Sequence, residues 1–274
     1  MEEDIEKYNA NNSKQVFIGD IMKKKIWIFL GVFCLTLIVC LSFLLPKYKV
    51  KHTFTYEVDK EKGEVTITGY QGDKCPKELE IPDKINGYPV TTIGKHAFEW
   101  AEVENITLPK NITTMKEGAF YGCTRLKKVV GIENVEIIES DVFYMCKSLK
   151  EMNLSSVKEL GEAAFFECST IEVIEIPEGI KVIPSALCGK MENLRVVILP
   201  DSVTTIEDIA FRDCNSLKEI YLSSNVTNIS FDPNEADICV NSFHGIEPQL
   251  TIYGESGSYV EEYAAKAGIK FVAK

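Results

Sequence analysis

Cysteine is the residue type in this chain most suited to chemistry, because a thiolate can act as a nucleophile, bind a metal or form a disulfide. Nine cysteines occur, and seven follow residue 52, an odd number that cannot pair fully within one chain. A zinc site would require C-x-x-C or nearby histidines, and neither spacing is found. We therefore predict no metal site and, for the four cysteines that share one repeat position, a column of buried thiols, with a disulfide as the alternative. The seven are Cys75, Cys123, Cys146, Cys168, Cys188, Cys214 and Cys239.

Serine and histidine offer little more for catalysis. The three histidines are scattered along the chain. The segment Gly254-Glu255-Ser256-Gly257 resembles a nucleophile elbow only in part, since that motif needs a later histidine and none follows Ser256. No glycine-rich phosphate loop is present. We predict that the protein is not an enzyme and requires no cofactor; a carbohydrate-processing enzyme, which would need a cleft with converging acids, is the weaker alternative.

The charge of the chain narrows the class of partner. Its 274 residues carry a net charge of −11, which argues against nucleic acid because proteins that bind it carry basic patches. Residues 52–274 alone hold 22 Lys and Arg against 36 Asp and Glu, a net charge of −14. Such a surface repels polyanions. We predict a neutral or basic protein, or a neutral glycan, as the partner.

The first fifty residues predict a membrane anchor. Residues 26–45 contain no charged side chain, and about 20 such residues span a bilayer as a helix. We assign 1–25 to a short polar cytoplasmic tail, 26–45 to the transmembrane helix and 46–52 to a linker. Met22 and three following lysines also resemble a signal peptide, but no small-x-small cleavage site follows. The prediction is a single-pass protein of the cell membrane with its folded part outside.

An internal repeat follows the anchor. Ala-Phe or a near variant recurs at spacings of 22, 23, 22, 22 and 24 residues, and four copies precede a cysteine that is followed by Leu or Ile three residues later and by Val, Met or Ile six residues later. Ala101 and Lys190 stand in place of the cysteine, and residues 186–194 carry one extra residue. The pairs are Ala97-Phe98, Ala119-Phe120, Val142-Phe143, Ala164-Phe165, Ala186-Leu187 and Ala210-Phe211.

This period predicts a β-rich leucine-rich-repeat solenoid, in which coils of 22–24 residues stack and build a parallel sheet. Residues 53–90 form an N-terminal cap with a hairpin, 91–231 form the repeats, and 232–274 form an irregular loop and a C-terminal cap. The second cap contains a helix that begins at a capping box of Ser258 and Glu261 and ends at Gly268.

The pattern V-T-x-I-G-x-x-A-F-x-x-C-x-x-L-x-x-V-x-L-P resembles the BspA-like leucine-rich repeats of microbial surface proteins. The opening hairpin, around Val65–Tyr70, and the closing segment, around Ile252–Tyr259, resemble the ends of that family, so the likeness covers about residues 53–274. It implies a non-enzymatic surface protein that binds other macromolecules, often as an adhesin for host or matrix proteins.

The strand pattern also predicts a binding face. In each coil the residues that flank the buried strand position point outward, and three consecutive coils place apolar side chains there with acidic neighbours. We assign this face to partner binding, although β-branched residues also favour strands for their own sake. The predicted partner-binding residues are Val173, Glu175, Val196, Ile198, Glu219 and Tyr221.

Overall fold

The computed structural model describes residues 54–72, 74–231 and 241–274. These residues belong to the second of two compact units, His52–Lys274. Within the described ranges, no helix has the length and apolar character needed to cross a membrane. The predicted tail, anchor and linker at 1–25, 26–45 and 46–52 lie outside these ranges, as does Cys239.

The described chain is a solenoid of stacked coils, as predicted, and it begins with a hairpin. Strands β1 (Phe54–Asp59) and β2 (Glu64–Tyr70) pair antiparallel across a turn in which Gly63 has a φ of 70°. Val65 and Ile67 of β2 are fully buried, because alternate residues of the strand face the coil below. The hairpin covers the first coil and protects its core from water.

Most coils contribute to two rows of short strands, where the sequence predicted a single parallel sheet. In the first row, sheet I, all strands except the last two have one buried residue between two outward ones, and the last two strands are four residues long. Its members are β3 (Glu78–Glu80), β6 (Asn105–Thr107), β8 (Lys128–Val130), β11 (Val173–Glu175), β13 (Val196–Ile198), β15 (Glu219–Tyr221), β17 (Thr251–Gly254) and β18 (Lys270–Ala273).

The second row, sheet II, lies along the apolar patch that precedes each Ala-Phe pair. It continues the N-terminal hairpin through parallel strands and is interrupted once, after β10. Its further members are β4 (Lys84–Ile85), β5 (Tyr88–Ile93), β7 (Thr114–Met115), β9 (Ile137–Ile138), β10 (Glu159–Leu160), β12 (Val182–Ile183), β14 (Thr205–Ile206) and β16 (Asn228–Ile229). Of these, β4 is a side branch that pairs antiparallel with β5.

Sheet I is divided into three ladders: β3-β6-β8, β11-β13 and β15-β17-β18. Between the first two ladders, residues 150–153 form no strand. The connection from Leu154 to Val157 in that coil is one residue shorter than the connection from Ile176 to Ile180 in the next. The coil keeps its register in sheet II, through β9 and β10, and loses it in sheet I.

A column of phenylalanine rings fills the core. Successive rings from four coils are stacked, with centroids 5.4, 5.6 and 5.8 Å apart, and a second stack of two rings is spaced 5.5 Å. The two stacks are separated by one coil that has no phenylalanine. The first stack contains Phe98, Phe120, Phe143 and Phe165, and the second contains Phe211 and Phe243.

The coil between the two stacks is aligned one residue later than we predicted from the repeat. The backbone N–H of Phe165 donates to the carbonyl of Leu187 (3.0 Å), and that of Cys188 donates to the carbonyl of Ala210 (2.9 Å). Leu187-Cys188 is therefore the counterpart of Ala-Phe, and the assignment of Ala186-Leu187 was wrong. That assignment matched alanine to alanine, whereas stacking matches the buried positions.

This correction removes the extra residue from the fifth repeat. The spacing between equivalent positions becomes 22 or 23 residues throughout. Met191, whose N–H donates to the carbonyl of Cys188 (3.3 Å), takes the cysteine position that we had given to Lys190. Lys190 instead lies at the surface, with its Nζ 5.5 Å from the ring centroid of Phe166.

The repeat cysteines form a buried column of free thiols. Each Sγ–H donates to a backbone carbonyl of the preceding coil, at 3.0–3.3 Å. Burial raises the pKa of the Cys123 and Cys214 thiols to about 12, so neither is ionised at neutral pH. These thiols are packing residues. The column contains Cys123, Cys146, Cys168 and Cys214.

The C-terminal cap contains the predicted helix, α1 (Tyr259–Ala267), which buries Val260, Tyr263 and Ala264 and ends at Gly268 with a φ of 69°. Its predicted capping box is wrong in detail. The Ser258 hydroxyl donates to the carbonyl of Glu255 (2.6 Å), and the Glu261 carboxylate accepts from the Gly257 N–H (2.6 Å). Both side chains therefore form hydrogen bonds within the turn that precedes the helix, and they do not form the reciprocal pair of a capping box.

Candidate partner-binding face

Two adjacent parallel strands position the centre of the predicted face. Val173 of β11 lies beside Val196 of β13, and Glu175 lies beside Ile198. The middle residues of both strands, Ile174 and Val197, point into the core. Because side chains alternate along a strand, the flanking residues must face solvent. All six predicted binding residues are exposed, with Val173, Val196, Ile198 and Tyr221 at 50, 44, 47 and 46%.

Strand β15 adds Glu219 and Tyr221 to the same side of the solenoid. It neighbours β13 in the stack but forms no ladder with it, and it pairs instead with β17. Tyr221 stacks on Tyr253 of β17, with ring centroids 4.6 Å apart and planes 17° from parallel. The apolar face is defined as Val173, Val196, Ile198, Tyr221 and Tyr253.

Sequence reasoning missed two residues of this site. Tyr253 follows Thr251 and the buried Ile252, a pattern that repeats Glu219-Ile220-Tyr221, so its place on the face was detectable. No comparable sequence pattern indicated Lys274. Its Nζ lies 3.8 Å from the ring centroid of Tyr221, a contact made by a residue more than fifty positions along the chain.

The acidic residues of the face differ from the other acids of the solenoid. Glu104, for example, lies between Lys77 and Lys127, both at 2.7 Å, and the hydrogen bonds from Lys127 and Lys77 lower its pKa to about 2. In the described part of the chain, no lysine or arginine lies within ion-pair distance of Glu175 or Glu219. Both are exposed and available to a partner.

The Glu219 carboxylate is held in place by one neighbour. The Tyr253 hydroxyl donates to Glu219 Oε1 at 3.2 Å, and desolvation together with this hydrogen bond raises the pKa of Tyr253. The tyrosine therefore stays protonated and keeps donating at neutral pH. The arrangement places a carboxylate of fixed position beside a pair of stacked rings.

A cleft of about 480 Å³ opens where sheet I is broken, beside β11. It contains two acidic residues, Glu175 and Glu178, and a carbohydrate-processing enzyme would need a pair of acids in a cleft. Both side chains are exposed, whereas the catalytic acid of such enzymes stands in a pocket that excludes water. Its walls are formed by Met152, Asn153, Leu154, Ser155, Glu175, Pro177 and Glu178.

The other candidate chemistries are structural. Ser256 lies in the turn before α1, where its hydroxyl donates to Glu261 at 3.3 Å. Within residues 54–72, 74–231 and 241–274, no group of three His, Cys, Asp or Glu side chains is placed to bind a metal ion. Among the described residues, the apolar face with its acidic neighbours remains the candidate surface for a ligand.

Comparison with known proteins agrees with this architecture. The model of the BspA type leucine rich repeat region matches six copies over residues 91–218 and 182–233. No curated protein matches the chain. Among solved structures, a leucine rich cell surface protein from Faecalibacterium prausnitzii A2-165 is 26% identical with a TM-score of 0.60. The match covers 75% of this chain and 54% of that protein, so the chain spans about half its length.

Two further structures share the fold. A leucine-rich repeat protein from Bacteroides ovatus is 24% identical with a TM-score of 0.59, over 81% of this chain and 66% of its own. A leucine rich repeat protein from T. pallidum is 21% identical with a TM-score of 0.58, over 80% of this chain and 95% of its own. At these identities the likeness concerns the fold and not the ligand.

Proposed function

This chain belongs to the BspA type leucine-rich repeat family, and from that premise we propose that it is a non-enzymatic module of the cell surface that binds a macromolecule through the apolar face. The observation that carries the proposal is the exposure of Val173, Val196, Ile198 and Tyr221 on three neighbouring coils, each between 44 and 50%. A contiguous apolar surface bordered by charged residues is typical of protein interaction sites.

The module is held close to the membrane by the N-terminal segment. Residues 26–45 anchor the chain and the tail 1–25 remains in the cytoplasm. The linker 46–52 reaches about 25 Å at full extension, and sheet I, with eight strands and one coil without a strand at a spacing of about 4.8 Å, adds about 40 Å. A thick cell wall exceeds these lengths. Recognition near the membrane is therefore our first proposal, and adhesion to host or matrix proteins is the alternative.

The partner is a neutral or basic protein or a neutral glycan. Residues 52–274 carry a net charge of −14, which disfavours nucleic acids and other polyanions. Catalysis plays no part in the proposal, since the acids beside the cleft are exposed and the buried thiols are engaged in packing.

Photo-crosslinking on cells tests the assigned face. With benzoylphenylalanine in place of Ile198, we expect an adduct with one partner, identified by mass spectrometry. With the same group in place of Val182, which is 40% exposed on sheet II, we expect no such adduct. The two sites have similar exposure and the same apolar character, so the difference isolates the face. Equal adducts at both sites would refute the assignment.

Protease accessibility tests the placement. We expect the repeat domain, followed with an antibody, to be cleaved in wall-stripped cells and protected in intact cells, because the linker and solenoid are short. Cleavage in intact cells would favour the adhesin alternative. Cleavage only after lysis would overturn the proposed orientation and place the partner in the cytoplasm.

A further inference from the structure

We propose that the partner presents a lysine or arginine side chain to Tyr221, and that Lys274 occupies this place in the free protein. This inference rests on the proposed function, because it concerns the same face. It gives the chemical class of the partner and identifies Lys274 as a residue of this chain that competes with the partner for Tyr221. The partner is a protein segment that carries a cationic side chain beside apolar ones.

The contact between Lys274 and Tyr221 shows what the ring can accept. The ammonium lies 3.8 Å from the ring centroid, well within the range of a cation–π interaction. The backbone of Lys274 is held by a hydrogen bond from its N–H to the carbonyl of Gly254 (2.9 Å). The side chain is exposed and joins no ion pair in the described residues. The contact with the Tyr221 ring is therefore what holds the Lys274 ammonium in this position.

Glu219, on the same strand as Tyr221, adds a carboxylate that a cation on this face can contact. Glu219 lies two residues away on the same outward side of β15, and the Tyr253 hydroxyl fixes its carboxylate at 3.2 Å. Glu175, two coils away, is also without an ion pair among the described residues. A guanidinium or ammonium placed between the Tyr221 ring and Glu219 would contact both groups, whereas the Lys274 ammonium contacts the ring without forming an ion pair among the described residues.

The rest of the face specifies apolar neighbours for that cation. Val173, Val196 and Ile198 carry no polar atoms in their side chains, so they can be covered only by apolar groups without loss of hydrogen bonds. A neutral glycan offers no cation and few apolar groups, which is why we favour a protein segment. Because Lys274 and the partner's cation require the same ring, Lys274 weakens binding until it is displaced.

A defined peptide tests this competition. The probe is a short peptide in which Lys and Val alternate, titrated into the full chain in zwitterionic detergent, with the peptide in which every Lys is Gln as its control. We expect only the Lys-containing peptide to bind. Lys274→Gln should tighten its binding about two- to fivefold more than Lys270→Gln does. Lys270 is exposed on β18, so its substitution makes the same charge change away from the ring.

Nuclear magnetic resonance provides a readout of the displacement. The lysines of the chain are ¹³C-methylated, and the Lys274 signal is identified as the one that disappears in Lys274→Gln. This signal should be shifted upfield by the ring of Tyr221. Addition of the Lys-Val peptide should return it toward the value of a free lysine, and Tyr221→Leu should remove both the shift and the binding. Tyr221→Phe keeps the ring and should retain them.

Two results would overturn the inference. One is that the Lys-Val and Gln-Val peptides bind equally well, or that neither peptide binds. The other is an equal effect of Lys274→Gln and Lys270→Gln. If an adduct forms at position 198 on cells while either result is obtained, the proposed function stands and only the cationic class is wrong. If no adduct forms, the proposed function itself fails.

Discussion

Replacement of Val196 and Ile198 together by Asp is expected to abolish capture of the partner identified by crosslinking. These side chains lie at the centre of the apolar face and are 44 and 47% exposed. Loss of a central apolar contact costs about 2 kcal/mol or more, about 30-fold in affinity, and the double change also buries two carboxylates against apolar groups. We expect a loss of more than about 100-fold, measured as the dissociation constant of the full chain.

The repeat domain should remain folded in this variant. Only outward side chains of β13 change, and Val197 stays in the core. The new carboxylate at position 198 lies beside Glu175, a like-charge pair that costs about 1 kcal/mol at most. The control is the double change of Val130 and Val182 to Asp, which adds the same charge at residues 43 and 40% exposed outside the face. Equal loss of capture in the control, or normal capture in the first variant, would contradict the assignment.

The second large effect concerns the coil that interrupts the phenylalanine column. Leu187→Ala should destabilise the domain by about 2–5 kcal/mol, because it leaves a cavity at a fully buried position. Cys188→Phe should cost about 1–3 kcal/mol, because the ring enters a space that is already packed. Together the two changes recreate the Ala-Phe pair of the neighbouring coils and should restore most of the stability.

The restoration follows from complementary volumes. Leucine with cysteine and alanine with phenylalanine fill similar total volumes, but they distribute that volume differently between the two positions. The added ring would lie between Phe165 and Phe211 and join the two stacks. We expect a coupling free energy of about 2 kcal/mol, measured from urea unfolding of the four variants in the double-mutant cycle.

A distant pair serves as the control for this cycle. Leu187→Ala combined with Ile93→Val, which is buried several coils away, should show additive losses. Additive losses for Leu187→Ala and Cys188→Phe would mean that the two positions are packed independently, and would contradict the shared-volume explanation.

Periodicity alone was sufficient to predict the solenoid and the outward side chains. The recurrence of apolar residues at 22–24 positions requires a stack, because one coil cannot bury them. The alternation within each strand then places Val173, Val196 and Ile198 outside whatever the details of packing. These conclusions depend on local geometry that every coil repeats, so the sequence contains them.

The remaining features depend on contacts between distant parts of the chain. Leu187 and Cys188 take their places because stacking selects buried volume and not residue identity. Sheet I is broken at residues 150–153, in the coil whose following connection is one residue shorter, although sheet II keeps its register there. Lys274 reaches Tyr221 only because β17 and β18 stack in parallel beyond β15. No local pattern encodes such a contact, since it exists only when the last strands of the stack are assembled.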